Sequence, residues 1–245
     1  MFLGLFHDVN GVNRWITLLI QLISLSLIIY KYQGVTPYFP IFLFVSFVLI
    51  HSVTLFNKID GLCLAILIPA LIGLSFIVSS KYDRFLILSS LGAMLGFLIY
   101  NFPPARMYLG TSGEYFLSSI LTVGFLSSLR HWNSNKSFVI SSFIFLLPLL
   151  FEGSFSFLRS FSDFVSLSNS SKRKNKNLLS AEKCLCFKAI NLFKDERKTF
   201  YFFLGFGLLS FTSGYLAKSN TYIGIIVLII LILIYAYMYI TLKKE

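Results

Sequence analysis

Long apolar blocks constrain this chain more than any other feature. Eight are read, over residues 15–31, 38–56, 62–80, 85–102, 114–129, 137–152, 199–217 and 221–242. Within them apolar residues run on every side rather than at amphipathic spacing. About 20 such residues, each rising 1.5 Å, match the roughly 30 Å hydrocarbon core of a bilayer. A backbone in lipid must satisfy its own hydrogen bonds, so each block is expected to be a helix. Composition agrees: charged residues are 13% and mean hydropathy is +0.79, whereas a soluble domain carries about 25% charged residues. The expected fold class is all-α, a polytopic membrane helix bundle of about eight transmembrane helices, in one membrane domain over 1–245. The first and sixth blocks are short for a full crossing. Residues Met1 to Asp8 lack the basic, apolar and small-residue order of a signal peptide.

Basic residues set the orientation. With the N-terminus inside, Arg14, Lys58, Arg106, the run from Arg159 to Lys198 and the pair Lys243 and Lys244 face the cytoplasm, 15 of the 21. The other six, Lys31, Lys81, Arg84, Arg130, Lys136 and Lys218, face outward. Positive charge favours the inside, so both termini are expected there. Cytoplasmic loops then fall at 1–14, 56–61, 102–113 and 153–199. The net charge of +11 flanks helices and forms no separate domain, which argues against nucleic-acid binding. The basic stretch Lys172, Arg173, Lys174 and Lys176 reads as a topology signal and an attraction to anionic headgroups. Cys63, Cys184 and Cys186 form no metal-ligating pattern with His or a second Cys pair.

Three short polar segments fall on the inner side. The first holds Gly4, His7, Asp8, Asn10, Asn13 and Arg14. The second runs from Asn57 through Lys58, Asp60 and Gly61. The third runs from Asn101 through Pro103, Pro104, Ala105, Arg106, Gly110, Thr111, Ser112 and Gly113 to Glu114. Carboxylates at the ends of membrane helices are costly and mark candidate sites. Structural roles compete with that reading: Asp8 as a helix cap, Asp60 and Gly61 as a turn, and the two prolines as a helix stop.

In order and spacing these segments resemble the polyprenyl-phosphate N-acetylhexosamine-1-phosphate transferases, glycosyltransferase family 4. This bacterial group includes the undecaprenyl-phosphate GlcNAc-1-phosphate transferases and the phospho-N-acetylmuramoyl-pentapeptide transferases. The family's Asp-Asp pair is His7 and Asp8 here, with Gln21 on the next helix. Its Asn-x-x-Asp-Gly-x-Asp-Gly is Asn57, Asp60 and Gly61, with Cys63 and Leu64 at the second Asp-Gly. Its Asn-x-x-Pro-Ala-Lys-x-Phe-x-Gly-Asp-x-Gly is Asn101, Pro104, Ala105, Arg106, Tyr108, Gly110, Thr111 and Gly113. Acidic positions are thus replaced at His7, Cys63 and Thr111, and residues 153–199 contain no His for the family's His-rich motif. Against the family pattern the chain looks shortened ahead of Met1.

The resemblance implies transfer of an N-acetylhexosamine-1-phosphate from a UDP-sugar such as UDP-N-acetylglucosamine to polyprenyl phosphate. Such a step belongs to cell-wall or lipopolysaccharide synthesis in the bacterial cytoplasmic membrane. It implies Mg2+ as cofactor, membrane lipids around the chain and a homodimer as the allowed assembly. It assigns catalysis and metal binding to Asp8 and Asp60, and substrate binding to Asn57, Gly61, Asn101, Pro104, Arg106, Gly110 and Gly113. Magnesium prefers several oxygen ligands, so the replaced carboxylates predict impaired activity. A catalytically inactive relative, a membrane scaffold or a gene remnant, is the alternative. A transporter with broken helices is a third reading, but His51 is its one candidate polar group at membrane depth.

Overall fold

The computed structural model describes residues 2–11, 13–130, 136–167 and 185–241. Among them are ten α-helices and no strand: α1 Phe2–Asn10, α2 Arg14–Gln33, α3 Phe39–Phe56, α4 Leu62–Ser75, α5 Lys81–Asn101, α6 Gly110–Leu129, α7 Lys136–Leu167, α8 Leu185–Phe193, α9 Glu196–Ser219 and α10 Thr221–Thr241. Each of the eight apolar blocks is a helix. Among the described residues, five stretches are long and apolar enough to cross a membrane: Trp15–Gln33, Phe39–Phe56, Lys81–Asn101, Lys136–Leu158 and Glu196–Ser219. Helix α4 is only 14 residues long.

The helix boundaries follow local chemistry. The Asn13 side chain accepts from the Trp15 amide to open α2, and Gly34, at φ 66°, closes it. Ser80 caps α5, accepting from the Asp83 amide, and Asp195 caps α9, accepting from the Arg197 amide. These are the oxygen-bearing residues favoured at N-caps. Helix α5 stops at Asn101 because Phe102 precedes a proline and is extended, at φ −64° and ψ 137°.

Helix α4 is the axis of the bundle. All its residues except Ile72 are buried, and α3, α5, α6, α7 and α9 pack around it. Lipid offers no hydrophobic drive between helices, so close packing over small residues takes its place. A Cβ at Gly207 would lie 3.0 Å from Pro69 Cγ and 3.1 Å from the Ala65 carbonyl. Several hydroxyls in the apolar helices bond back along their own helix: Ser90 donates to the Leu86 carbonyl at 2.7 Å, Thr122 to Ser118 at 2.8 Å and Ser141 to Ser137 at 2.8 Å. Each of these three is thereby satisfied without water. Ser52 also crosses to α7, donating to the Leu149 carbonyl at 2.6 Å.

Contacts between helix ends sort the bundle into two ends. Asp8, Asn57, Gly61, Asn101, the start of α6 and the start of α9 meet at one. At the other, Tyr32 meets Asp83, Gln33 meets Leu126, Ser79 meets Ser127 and Lys218 meets Phe76. Helices α4, α5 and α6 therefore alternate in direction.

Two of the expected loops contain helices. Most of 1–14 is helical, because α1 lays Gly4 against Thr111 and Ser112 of α6. Most of the described part of 153–199 is also helical. Helix α7 continues unbroken to Leu167, since no proline or glycine follows Gly153, and α8 and α9 occupy 185–199. The basic stretch around Lys174 and the thiol of Cys184 lie outside the described residues. Cys63 and Cys186 are both buried.

Candidate functional site

The site is built on the loop between α5 and α6, residues 102–109. Two buried groups anchor it. Asn101, 4% exposed, accepts from the Gly61 amide at 3.1 Å and donates from Nδ2 to the Met107 carbonyl at 2.8 Å. Gly61 stands at φ 69°, and a Cβ there would lie 3.0 Å from both Phe200 and Pro103. The turn into α4 and the site loop thus depend on a glycine facing an asparagine. Asp60 Oδ2 accepts from the Ala105 amide at 2.8 Å, and the Tyr100 carbonyl accepts from the Arg106 amide at 2.8 Å. What remains exposed on this loop is Pro104, Arg106, Met107 and Tyr108.

Asp8 reaches the same place from α1. Helix α6 opens on Leu109, which offers no capping side chain. Asp8 caps it from another helix: Oδ1 accepts from the Thr111 amide and Oδ2 from the Ser112 amide, both at 3.2 Å. The positive end of α6 favours this charge. The Asp8 carboxyl is held below its ordinary pKa by the Thr111 hydroxyl first, then by the Ser112 and Thr111 amides and by His7; desolvation opposes them. Gly110, at φ 67°, leaves room for the carboxylate, with Oδ2 3.3 Å from where a Cβ would stand. Gly113 packs against Leu109.

Asn57 closes the cluster from α3. Its Nδ2 donates to Glu114 Oε1 at 2.7 Å. Glu114 is 9% exposed and also pairs with Thr54, and the charges of Asp8 and Lys58 act on it. Gln21 pairs with Tyr115, one residue further along α6. Every site residue read from the sequence therefore belongs to one connected end of the bundle. Asn57, Gly61 and Asn101 are engaged in holding it, whereas Arg106 and Pro104 are exposed. Of the other motif positions, His7 is exposed, Thr111 sits at the first turn of α6 and Cys63 is buried.

Three contributors were not singled out as site residues from the sequence. Glu114 ends the third polar segment, and its scarcity as an acidic residue was the available signal. Arg197, from α9, donates Nε to the Pro103 carbonyl at 3.0 Å, and Phe200 packs edge-on against Phe102. Both come from about a hundred residues away, and nothing local marks them.

The family model for glycosyl transferase family 4 matches residues 1–129, which span α1 to α6 and hold Asp8, Asn57, Asp60, Asn101 and Glu114. This chain belongs to glycosyl transferase family 4. The glycosyl transferase family 4 chain is similar to phospho-N-acetylmuramoyl-pentapeptide-transferases from streptococci. It is 30% identical to that of Streptococcus mutans over 152 residues, 54% of this chain and 44% of the relative. With that of Streptococcus thermophilus it shares 28% over 142 residues, 50% of this chain and 42% of the relative. With that of Streptococcus suis it shares 31% over 98 residues, 39% and 30% of the two chains. The chain thus spans less than half the length of the curated relatives it matches.

Proposed function

We propose that this glycosyl transferase family 4 chain binds a polyprenyl phosphate and a UDP-N-acetylhexosamine at the end of the bundle built on residues 102–109, and transfers the sugar-1-phosphate poorly. The observation that carries the reading is the hydrogen-bonded meeting of Asp8, Asn57, Asp60, Asn101 and the start of α6 at the family's motif positions. Lys58 and Arg106 are exposed there, and Arg197 borders the loop; such cations suit a pyrophosphate. In the proposed setting this end faces the cytoplasm of a bacterial cell, with eight crossings and both termini inside, and the step serves cell-envelope polysaccharide synthesis.

The carboxylates do not fit the magnesium ion that the family implies. Both Asp8 oxygens accept amides of α6, Asp60 Oδ2 accepts Ala105, and Glu114 accepts Asn57. Among the described residues no three of His, Cys, Asp and Glu are grouped to hold a metal. No step is therefore assigned to the ion, and what these side chains do is hold the three segments in register.

The test is formation of radiolabelled lipid-linked sugar by membranes of a host lacking its own transferase. Little product is expected, and Asp60→Asn should remove what remains. Robust magnesium-dependent product from the unmodified chain overturns the impaired part of the reading. The same engagement of the carboxylates favours a second reading, an inactive relative that binds the lipid phosphate alone. Labelling by a photoreactive polyprenyl phosphate without any transfer would select it.

A further inference from the structure

At the opposite end of the bundle, a recess of about 280 Å³ is lined by Lys31, Tyr32, Ser80, Tyr82, Asp83 and Arg130. Three helices build it: the last turn of α2, the first turn of α5 and the end of α6. The Tyr32 hydroxyl donates to Asp83 Oδ1 at 2.8 Å, and the Arg130 guanidinium lies 4.9 Å from the centre of the Tyr32 ring. The second carboxylate oxygen, Asp83 Oδ2, is buried and accepts no hydrogen bond among the described residues. A buried oxygen of this kind costs stability unless something donates to it. Beside it Lys31 and Arg130 bring two positive charges, and Tyr82 is 89% exposed.

We propose that this recess binds the headgroup of a membrane phospholipid: a phosphodiester whose distal group donates hydrogen bonds. Arg130 and Lys31 take the phosphate, for which a guanidinium and an ammonium are suited. Asp83 Oδ2 takes an N–H or O–H of the distal group, which ethanolamine and glycerol both supply and the trimethylated ammonium of choline does not. The recess holds a headgroup and not a whole lipid. Its position at helix ends, among tyrosines and cations, is where headgroups lie in a bilayer. The site is separate from the transfer site and does not depend on the function proposed for it.

The test is native mass spectrometry of the detergent-purified full chain with phosphatidylethanolamine, phosphatidylglycerol and phosphatidylcholine of identical acyl chains. The first two are expected to bind about tenfold more tightly than the third, the scale of one hydrogen bond to a charged group. The relative strength of those two decides which source the site prefers. Asp83→Asn keeps an acceptor for Tyr32 but turns a donor towards the ligand, so it should erase the preference over phosphatidylcholine. Arg130→Gln should weaken all three together. Equal binding of the three lipids by the unmodified chain overturns the proposal, as does a preference that survives in Asp83→Asn. If Asp83→Asn fails to fold, the preference of the unmodified chain and the Arg130→Gln series decide the matter alone.

Discussion

Asp8 caps a helix to which it does not belong, and its removal separates the structural role of this residue from any catalytic one. Asp8→Ala deletes the acceptor of two amides in the first turn of α6, at Thr111 and Ser112, both 3.2 Å away. Loss of an N-cap acceptor costs about 1 kcal/mol, within a range of roughly 0.5–2. The charge at the helix end adds a few tenths, reduced here by solvent because Asp8 is exposed. In a chain of this length about 1 kcal/mol lowers the melting temperature by roughly 2–4 °C. The sign with pH follows from the lowered pKa of Asp8. A depressed carboxyl stabilises the fold above its unfolded pKa, and that contribution is lost as pH falls through the lower folded value. The difference between the parent chain and Asp8→Ala should therefore be full at neutral pH and shrink only below about pH 4, the ordinary range of an Asp side chain. Hydrogen exchange in detergent micelles reads the effect locally: the Thr111 and Ser112 amides should exchange about fivefold faster in the variant. Unchanged exchange at those two amides would refute the cap, whatever happens to activity.

Asn101→Leu removes a buried amide that serves both the Gly61 turn and Met107, leaving an N–H and a carbonyl unpaired; about 2–4 kcal/mol is expected in a denaturant titration, with Asn101→Asp no better. Gly61→Ala should lower stability by about 1–2 kcal/mol from the left-handed backbone alone, with further loss from contact with Phe200 and Pro103; a neutral melting profile would contradict the geometry. Thr111→Asp places a second carboxylate beside Asp8 and removes a hydroxyl donor, so the Asp8 pKa should rise, which carbon-detected NMR titration of that side chain would follow. Impermeant thiol labelling of single cysteines at Ser134 and Ser170 tests orientation: Ser134 should react from outside intact cells and Ser170 should not.

Much of the fold was legible because membrane helices announce themselves. A backbone without water to bond to leaves few choices, so eight apolar blocks became eight helices. The caps at Asn13, Ser80 and Asp195 are equally local, since each oxygen serves an amide two or three residues away. The helical stretches at 2–10 and 185–193 were harder to read. They are short, and it is packing on α6 and on α9 that makes them helices.

Within the site, the sequence by itself determined which residue types stand at which motif positions, and hence the family. It could not say what those residues touch. Asp8 read both as a cap of the first apolar helix and, by resemblance, as a metal ligand; in the fold it caps a helix 103 residues further on. Asn57 is engaged by Glu114, and Asn101 by Gly61 and Met107. Arg197 and Phe200 enter the site only because α9 runs alongside α4. The physical reason is the range of the interactions. Burial in lipid and helix capping act over a few residues and are written along the chain. The partner of a polar side chain is chosen across the bundle, among groups whose positions exist only once the helices have packed.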